Sequence, residues 1–483
     1  MSKRIVYWFR NDLRLHDNEG FSRAVAEADD VLPVFVIDPR WYAELPPLGI
    51  RKTGAFRTRF LLECLTDLRR SLQQRGAELI IRIGDPAKVL TELAEQINAT
   101  AIYASKEVTQ EETDLESALS KRLKPLNIEL ELFWQATLYH VRDLPFDIVK
   151  LPDVFSQFRT RVEKYGHIRA TFPTPERVPL TPGVDAGSLP TLATLGFDEA
   201  AATVDSRTAV VFNGGESVGV SRLERYIWER DLIRTYKDTR NGMLGEEYSS
   251  KFSAWLAHGC LSPRFIYEEV KRYEAERVKN DSTYWLVFEL LWRDFFRFVA
   301  LKFGTRLFKP GGIRYDISRK WRRDGDLFRR WAEGETGIPF IDANMRELNA
   351  TGFMSNRGRQ NVGSFLVNDL GIDWTWGAAY FESLLVDYDP CSNWGNWNYV
   401  AGVGNDPREN RYFNIYSQAT RYDEAGRYVK HWLPELADVP AENVHLVSML
   451  PPPALRQYGV ALGDSYPMPI INPDRWLTKQ RTH

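Results

Sequence analysis

Short apolar runs alternate with longer amphipathic segments over the first 135 residues of the chain. Five β-branched or aromatic runs predict strands, and the stretches between them have the periodicity of helices. The predicted strands are 5–9, 31–37, 79–83, 101–103 and 128–133, and the predicted helices are 18–28, 54–75, 86–98 and 111–123. Strands separated by helix-length segments are typical of a doubly wound parallel sheet. We therefore predict a five-stranded α/β domain over residues 1–135.

The pattern changes after the fifth predicted strand. Residues 136–215 are predicted to be an inter-domain linker, because 171–215 are rich in Pro, Thr and Ala and have weak periodicity. From 216 to 483 the periodicity is helical, which predicts a C-terminal all-helical domain. Its predicted helices are 221–237, 263–275, 283–303, 328–332, 339–349 and 356–370, and the chain becomes irregular after Tyr399.

Composition narrows the class of protein. With 43% hydrophobic and 27% charged residues, the chain is typical of a folded globular protein, and its net charge of −2 neither supports nor excludes a polyanionic partner. The three cysteines have no metal-binding or disulfide-framework spacing. No secretory segment or 18-residue apolar span occurs. We expect a cytoplasmic monomer without a metal or a membrane partner. No glycine-rich nucleotide fingerprint follows a predicted strand.

The apolar segment 284–300 carries an unusual polar stripe. Helical spacing places Trp285, Glu289, Trp292, Arg293 and Phe296 on neighbouring turns of one face. A polar stripe on such a helix usually meets solvent, but solvent stripes rarely contain two tryptophans. An aromatic shelf with a carboxylate could instead recognise a planar heterocycle by stacking and edge hydrogen bonds.

Two later segments have a similar character. In 351–361, Asn356 is a candidate helix cap, and Arg359 and Gln360 follow it on one face. In 387–399, two Asp, three Asn, two Trp and two Tyr occupy thirteen residues. The Asp pair lacks the additional oxygen ligands that a hard cation needs, and turn chemistry would explain only some of the Asn residues.

With these segments in view, the sequence resembles the DNA photolyase and cryptochrome family, and most closely its DASH-type branch. The resemblance extends from WFRNDLRLHDN at 8–18 to HWLPEL at 431–436. Its most specific stretches are ELLWRDFFR at 289–297, ETGIPFIDANMREL at 335–348, TGFMSNRGRQNVGSFL at 351–366 and DYDPCSNWGNWNY at 387–399. It implies an N-terminal α/β domain joined by a long linker to a helical FAD-binding domain.

The resemblance also implies where FAD would bind. Hydroxyl and backbone N–H groups in 249–253 would hold its phosphates and ribose, Arg359 and Asp387 would lie beside the flavin ring, Asp389 near its pyrimidine edge, and Asn393 opposite N5. A cation and a neutral amide there favour the anionic reduced flavin, which is the electron donor. The implied cofactor positions are Tyr236, Ser249, Ser250, Lys251, Phe252, Ser253, Trp285, Arg293, Asn356, Arg359, Asp387, Asp389 and Asn393.

Three tryptophans match the family's electron relay. Trp397, Trp374 and Trp321 would pass an electron inward when oxidised flavin is photoreduced. Any single tryptophan is more often a core residue. Their joint match favours a relay that activates the protein, separate from repair.

The implied substrate is a cyclobutane pyrimidine dimer in DNA. The family's dimer cavity corresponds to Glu289, Trp292, Asn356, Arg357, Gln360 and Tyr399. A flipped dimer would stack on Trp292, while Glu289 would hydrogen-bond the pyrimidine edge and stabilise the radical anion. Electron transfer from excited reduced FAD would split the dimer.

Two positions depart from duplex-specific photolyases, because Gln360 replaces a methionine and Tyr399 replaces a second tryptophan. Since a stacked base returns only about 1–3 kcal/mol and unstacking costs a few kcal/mol, losing one indole favours single-stranded DNA as the partner. A basic rim would bind the DNA backbone. Its candidates are Arg57, Arg264, Arg293, Arg357, Arg411 and the basic residues of 319–323, although the last group also fits a solvated charged face.

The resemblance implies an antenna, 5,10-methenyltetrahydrofolate, near Glu107, Gln110 and Glu111, with a flavin or deazaflavin as alternatives. Two other functions were weighed. A blue-light signalling cryptochrome would use the same FAD and tryptophans, but such receptors commonly carry long C-terminal extensions and replace the amide at the Asn393 position. A non-photochemical nucleotide-binding protein would leave the helical half unexplained. The expected activity is a deoxyribodipyrimidine photo-lyase.

Overall fold

Seven strands lie within residues 2–406 and 412–478, the parts of the chain that the computed structural model describes. They are β1 Arg4–Phe9, β2 Asp30–Ile37, β3 Glu44–Leu45, β4 Ile50–Arg51, β5 Ile80–Ile83, β6 Ala101–Ser105 and β7 Glu129–Phe133. Five pair in parallel in the order β5, β2, β1, β6, β7, and β3 pairs separately with β4. The predicted parallel sheet is confirmed. The pair β3–β4 was not predicted, because two-residue strands show no alternation.

Helices cover both faces of this sheet. They are α1 Glu19–Glu27, α2 Ala55–Gln73, α3 Pro86–Gln96 and α4 Gln110–Leu123. Asn18 and Asp85 cap α1 and α3 by accepting hydrogen bonds from the N–H groups of Phe21 and Ala87. Strand β1 is buried on both sides, as expected for a central parallel strand.

The segment predicted to be a linker contains a helix, α5 Phe155–Tyr165. Its apolar face packs on the helical half of the chain: Phe158 contacts Phe295 and Phe298 at ring-centroid distances of 5.3 and 5.9 Å. Part of the connection therefore belongs to the core of the helical domain.

The rest of the chain is helical, which confirms the predicted fold class. Its helices are α6 Glu216–Glu224, α7 Tyr236–Thr239, α8 Ser253–Ala257, α9 Pro263–Glu276, α10 Asp281–Phe303, α11 Gly325–Glu333, α12 Pro339–Thr351, α13 Asn356–Ser364, α14 Trp374–Leu384, α15 Pro390–Val400, α16 Ile415–Tyr422, α17 Arg427–Trp432, α18 Ala441–Val444, α19 Pro452–Gln457 and α20 Arg475–Thr478. The predicted helix 221–237 is interrupted, because Asp231 adopts a left-handed conformation with φ of 55°. None of the helices in these described parts is both long and apolar enough to cross a membrane.

The motif at 8–18 joins the two domains. Asp17 forms a fully buried ion pair with Arg264 of α9, and Arg14 donates to the carbonyl oxygen of Gly259. On the other side, Asp294 of α10 accepts hydrogen bonds from the N–H groups of Leu138 and Tyr139 at 2.9 and 2.8 Å. A buried charge needs such partners, so these contacts fix α10 relative to the sheet.

Candidate active site

The predicted polar stripe lies on one continuous helix, α10. Asn280 caps it through a capping box with Thr283, and Asp281 in the first turn suits the helix dipole. Trp285, Glu289 and Trp292 are half-buried on the side away from the fully buried Leu290 and Leu291. The stripe thus faces a partly enclosed space.

Glu289 is paired with Arg240, a residue that the sequence analysis did not single out. Arg240 Nη1 donates to Glu289 Oε1, and the guanidinium also lies 5.6 Å from the Trp285 ring centroid. Burial raises the pKa of Glu289, and the attraction of Arg240 opposes that rise. The indole N–H of Trp285 is buried and has no acceptor in the described parts of the chain. Two side chains with hydrogen-bonding capacity therefore remain at this wall.

Trp292 is held from one side by an aromatic ring of α5. The Phe155 ring stacks on it with a centroid distance of 3.7 Å and an interplanar angle of 9°. Tyr399 of α15 meets Trp292 edge-on at 5.8 Å. Sequence reasoning missed Phe155 because it lies in the predicted linker, although Phe155, Phe158 and Val162 have helical spacing.

Helix α13 supplies a polar wall. Ser355, not Asn356, caps the helix by accepting from the N–H of Gly358, so the predicted capping role of Asn356 is wrong. Asn356 is the first helical residue, and its side chain is exposed. Arg357 donates to Gln360 Oε1 and to Asn241 Oδ1, both at 2.9 Å. These contacts orient the amide of Gln360.

Three of the residues predicted beside the flavin form one cluster. Arg359 Nη2 donates to both carboxylate oxygens of Asp387, at 3.0 and 2.8 Å, and Ser253 Oγ donates to Asp387 Oδ2 at 2.6 Å. Asp387 is buried whereas Ser253 is exposed. The Ser253 side of the cluster is therefore accessible, whereas the Asp387 carboxylate is shielded from solvent.

Asp389 is the residue just before α15, and Asn393 follows in the first turns of the helix. Asp389 caps the helix by accepting from the N–H of Ser392 at 2.7 Å. The amide nitrogen of Asn393 donates to the carbonyl oxygen of Ala378 at 3.0 Å, which fixes the orientation of the side chain. Asp389 thus has a structural role in addition to the predicted one.

The predicted phosphate-binding segment contains a buried lysine. Lys251 is only 6% exposed, and its ammonium lies 3.7 Å from the ring centroid of Tyr248. No acceptor for it occurs in 2–406 or 412–478. Burial lowers the pKa of Lys251 to about 7 and raises that of the nearby Glu347 to about 7. Both residues line a small cleft together with Phe353 and Trp432.

The remaining predicted cofactor positions surround this segment. Phe252 and Tyr236 are buried, and the carbonyl oxygens of Ser249 and Ser250 accept from Arg222. Arg293 donates to the carbonyl oxygens of Ala136 and Leu256. A buried lysine without a hydrogen-bond acceptor, an exposed hydroxyl and a fixed amide are a donor set that fits an anionic dinucleotide such as FAD.

The tryptophans form two groups. Trp397 packs against Phe381 and Trp331, at 5.2 and 6.3 Å, whereas Trp374 meets Trp394 at 5.8 Å. Trp394, which the sequence analysis did not assign, lies one turn before Trp397 on α15. Trp394 therefore connects Trp374 with the helix that carries Trp397.

The predicted antenna residues differ in availability. Glu107 is buried in an ion pair with Arg297, whereas Gln110 and Glu111 are exposed at the start of α4, where Glu111 meets Lys52. Glu107 therefore has a structural partner already.

The predicted basic rim is wrong at two positions. Arg57 is buried against the ring of Tyr388, and Arg264 is buried in its ion pair with Asp17. Arg411 lies outside the described residues. The described parts also contain no group of three or more His, Cys, Asp or Glu side chains arranged to hold a metal ion.

Comparison with known proteins agrees with this geometry. Residues 285–481 match the FAD binding domain of DNA photolyase, and residues 5–177 match the DNA photolyase domain. The chain belongs to the DNA photolyase and cryptochrome family. Cryptochrome DASH from Gloeobacter violaceus is 51% identical over 98% of this chain and 93% of its own, and Cryptochrome DASH from Xenopus laevis is 50% identical over 98% and 91%. The predicted DASH-type resemblance is confirmed.

Solved structures support the same assignment. A Synechocystis cryptochrome superimposes with a TM-score of 0.94 at 49% identity, covering 100% of this chain and 99% of that one. A class III photolyase from Agrobacterium tumefaciens gives 0.86 at 27% identity, covering 100% and 98%. The helical half is thus an FAD-binding domain, and the family supports a photolyase-like function.

Proposed function

We propose that this protein uses light to split cyclobutane pyrimidine dimers, preferentially in single-stranded DNA. The observation that carries the proposal is the position of Glu289 and Trp292 on one face of α10, with Tyr399 edge-on to the indole. A carboxylate beside an aromatic ring is suited to a flat heterocycle with polar edges. Reduced FAD, when bound, would supply an excited electron that opens the dimer and would then recover it.

Glu289 is suited to hold a proton at the dimer. Arg240 engages Oε1, which leaves Oε2 for the pyrimidine edge. Burial raises the pKa of Glu289 and the Arg240 guanidinium opposes that rise, so the carboxyl would share a proton with a pyrimidine carbonyl once a bound dimer excludes water from it. Such a bond strengthens as negative charge develops on the substrate.

The aromatic wall favours a single strand. Phe155 fixes the plane of Trp292, so the indole is a rigid stacking surface. Tyr399 meets this indole edge-on, and the side-chain oxygen of Gln360 accepts a hydrogen bond from Arg357. This pocket offers one stacking ring and a polar wall. Since one stack is worth about 1–3 kcal/mol, it compensates poorly for extracting a dimer from a duplex.

Arg359, Asp387 and Asn393 would set the electrostatics at the flavin. The Asp387 carboxylate holds Arg359 and Ser253 in place, so a cation is fixed in position before the cofactor binds. Trp397, Trp374 and Trp321 would return an electron to oxidised flavin, with Trp394 as an aromatic contact along the way. This route would only reduce the flavin before repair and would take no part in splitting the dimer.

We further propose 5,10-methenyltetrahydrofolate as the antenna, bound near α4. The Glu111 carboxylate is 72% exposed, so it can accept hydrogen bonds from the amino group of a pterin, and exposed Gln110 is beside it. Mass spectrometry of the pigment released from the purified protein tests this assignment. A deazaflavin or a second flavin in place of folate would overturn it.

The decisive experiment illuminates the reduced protein with dimer-containing oligonucleotides, single-stranded and duplex, and quantifies restored pyrimidines. We expect light-dependent repair, faster in single strands, and a large loss in Glu289→Gln. Glu276→Gln, an exposed glutamate on α9, is the matched control. Equal rates on both substrates would contradict the strand preference. Photoreduction without repair would favour the alternative, a blue-light receptor.

A further inference from the structure

The segment between α10 and α11 concentrates positive charge. Residues 306–323, here called the basic loop, carry seven basic side chains and one acidic side chain, Asp316, in a chain of net charge −2. Arg322 and Arg323 pair with Asp324 and Asp373, which cap the starts of α11 and α14. The other five cations have a different environment.

None of these five cations forms an ion pair in the described parts of the chain, and only Arg319 lies near the Asp316 carboxylate. Arg314 and Arg319 donate to the backbone carbonyl oxygens of Asp406 and Ala401, which orients the guanidinium groups without neutralising them. Lys309 and Lys320 are exposed, and no carboxylate in the part of the chain that the structure describes lies within ion-pair distance of either. A surface of this kind attracts a polyanion.

Two apolar side chains stand out from the same loop. Tyr315 is 67% exposed and Ile317 is 77% exposed. The Arg306 guanidinium lies 5.9 Å from the Tyr315 ring centroid. An exposed aromatic ring among unneutralised cations is the combination that binds single-stranded nucleic acid, because bases stack on the ring while cations follow the phosphates.

The backbone beneath the exposed ring is anchored. Tyr315 has a φ of 56°, unusual for a bulky residue, and its N–H donates to the carbonyl oxygen of Gly312. A side chain at Gly312 would clash, because a Cβ there would lie 2.4 Å from Val403 and 2.5 Å from Asn398. The loop therefore packs closely against the C-terminal end of α15 at Gly312.

This support connects the basic loop with the candidate dimer pocket. Asn398 Oδ1 accepts from the N–H of Ile313 at 3.1 Å, and the N–H of Arg314 donates to the carbonyl oxygen of Val403. Asn398 precedes Tyr399, whose ring contacts Trp292. The loop and the pocket thus share one backbone segment.

We propose that the basic loop is a second nucleic-acid contact, which carries a single strand away from the dimer pocket and stacks one of its bases on Tyr315. The proposal rests on the function proposed above and extends it to the nucleotides that flank the lesion. An acidic protein would use the same charges, but the anchoring of the loop on Asn398, the chain neighbour of Tyr399, favours the strand.

The test measures binding of a long undamaged oligothymidylate to the full-length protein, and repair of a short dimer-bearing strand. Tyr315→Ala should weaken binding of the long strand at least about fivefold, the lower end of what one stacked base contributes, and leave repair of the short strand unaffected. Tyr165→Ala is the matched control, because Tyr165 is 64% exposed with Lys164 near its ring. The double variant Lys309→Gln, Lys320→Gln should bind oligothymidylate with a shallower slope of log K against log salt concentration. The change in slope should correspond to the loss of about two phosphate contacts.

The outcomes separate this proposal from the repair function. Undamaged DNA tests the basic loop alone, and repair of a short dimer-bearing strand tests the pocket alone. An equal effect of Tyr315→Ala and Tyr165→Ala on the long strand would overturn the proposal even if repair is intact. Binding of polyglutamate at the loop in preference to oligothymidylate would overturn it in favour of an acidic protein partner.

Discussion

Trp374 and Trp321 donate their indole N–H groups to one acceptor, the carbonyl oxygen of Pro310, at 3.0 and 3.1 Å. Trp374 is fully buried, whereas Trp321 is partly exposed. The shared carbonyl therefore fixes an interior ring and a surface ring relative to each other. In the proposed relay, this pair is the last step between the protein core and a reductant in solution.

Replacing Trp321 by Phe should abolish photoreduction by an external thiol while leaving repair by chemically reduced protein unchanged. Phenylalanine is much harder to oxidise, so it cannot supply the electron, yet it fills most of the same volume. Flavin absorbance under blue light measures the first effect, and the repair assay measures the second. Trp228→Phe is the control, because Trp228 is also partly buried and the Arg272 guanidinium lies 4.4 Å from its ring centroid. Equal photoreduction in both variants would exclude Trp321 from the relay.

Arg319 should restrain the same step. Its guanidinium lies 4.4 Å from the Trp321 ring centroid, held by the carbonyl oxygen of Ala401. A cation at this distance destabilises positive charge on the indole by about 1 kcal/mol in water and about 4 kcal/mol near a protein surface. We expect Arg319→Gln to lengthen the lifetime of oxidised Trp321 in transient absorption and to speed photoreduction. Arg272→Gln, the equivalent change over Trp228, should do neither, and a slower relay in Arg319→Gln would contradict the assignment.

Buried His258 should make stability depend on pH. It lies against the ring of Phe60, and its Nε2 is 3.2 Å from the carbonyl oxygen of Val386. Burial lowers the pKa of His258 to about 4 from its usual 6.5, so between these values the unfolded chain binds the extra proton and stability falls as pH falls. The full loss is about 3 kcal/mol, and about 2 kcal/mol of it occurs by pH 5.

Urea unfolding at pH 7.5 and pH 5 checks this expectation. The glutamine in His258→Gln cannot titrate. Between pH 7.5 and pH 5 the free energy of unfolding should therefore fall more in the wild type than in this variant. His167→Gln, at an exposed histidine, should show no such change. A pH-independent difference for His258→Gln would mean that His258 is not held neutral in the fold.

The sequence predicted those features that depend on local periodicity. The five parallel strands follow from short continuous apolar runs, and the stripe of Glu289 and Trp292 follows from a spacing of three residues, both of which the chain displays directly. The contacts that complete the site join distant positions. Arg240 reaches Glu289 across 49 residues, and Phe155 covers Trp292 from a segment whose composition suggested a linker. Only the folded chain brings such partners together.

The amide of Asn393 should control the reduction potential of the bound flavin. Its side-chain nitrogen is fixed on the carbonyl oxygen of Ala378, so Asn393→Asp places a carboxylate where a neutral group now lies. A negative charge there opposes the negative charge of reduced flavin, and we expect the two-electron midpoint potential to fall by about 30 mV or more, equivalent to ~1.4 kcal/mol. Asn396→Asp, one turn further along α15 and exposed, adds the same charge and should shift the potential much less. Spectroelectrochemistry of both holoproteins measures the difference, and equal potentials in the two variants would place Asn393 away from the flavin.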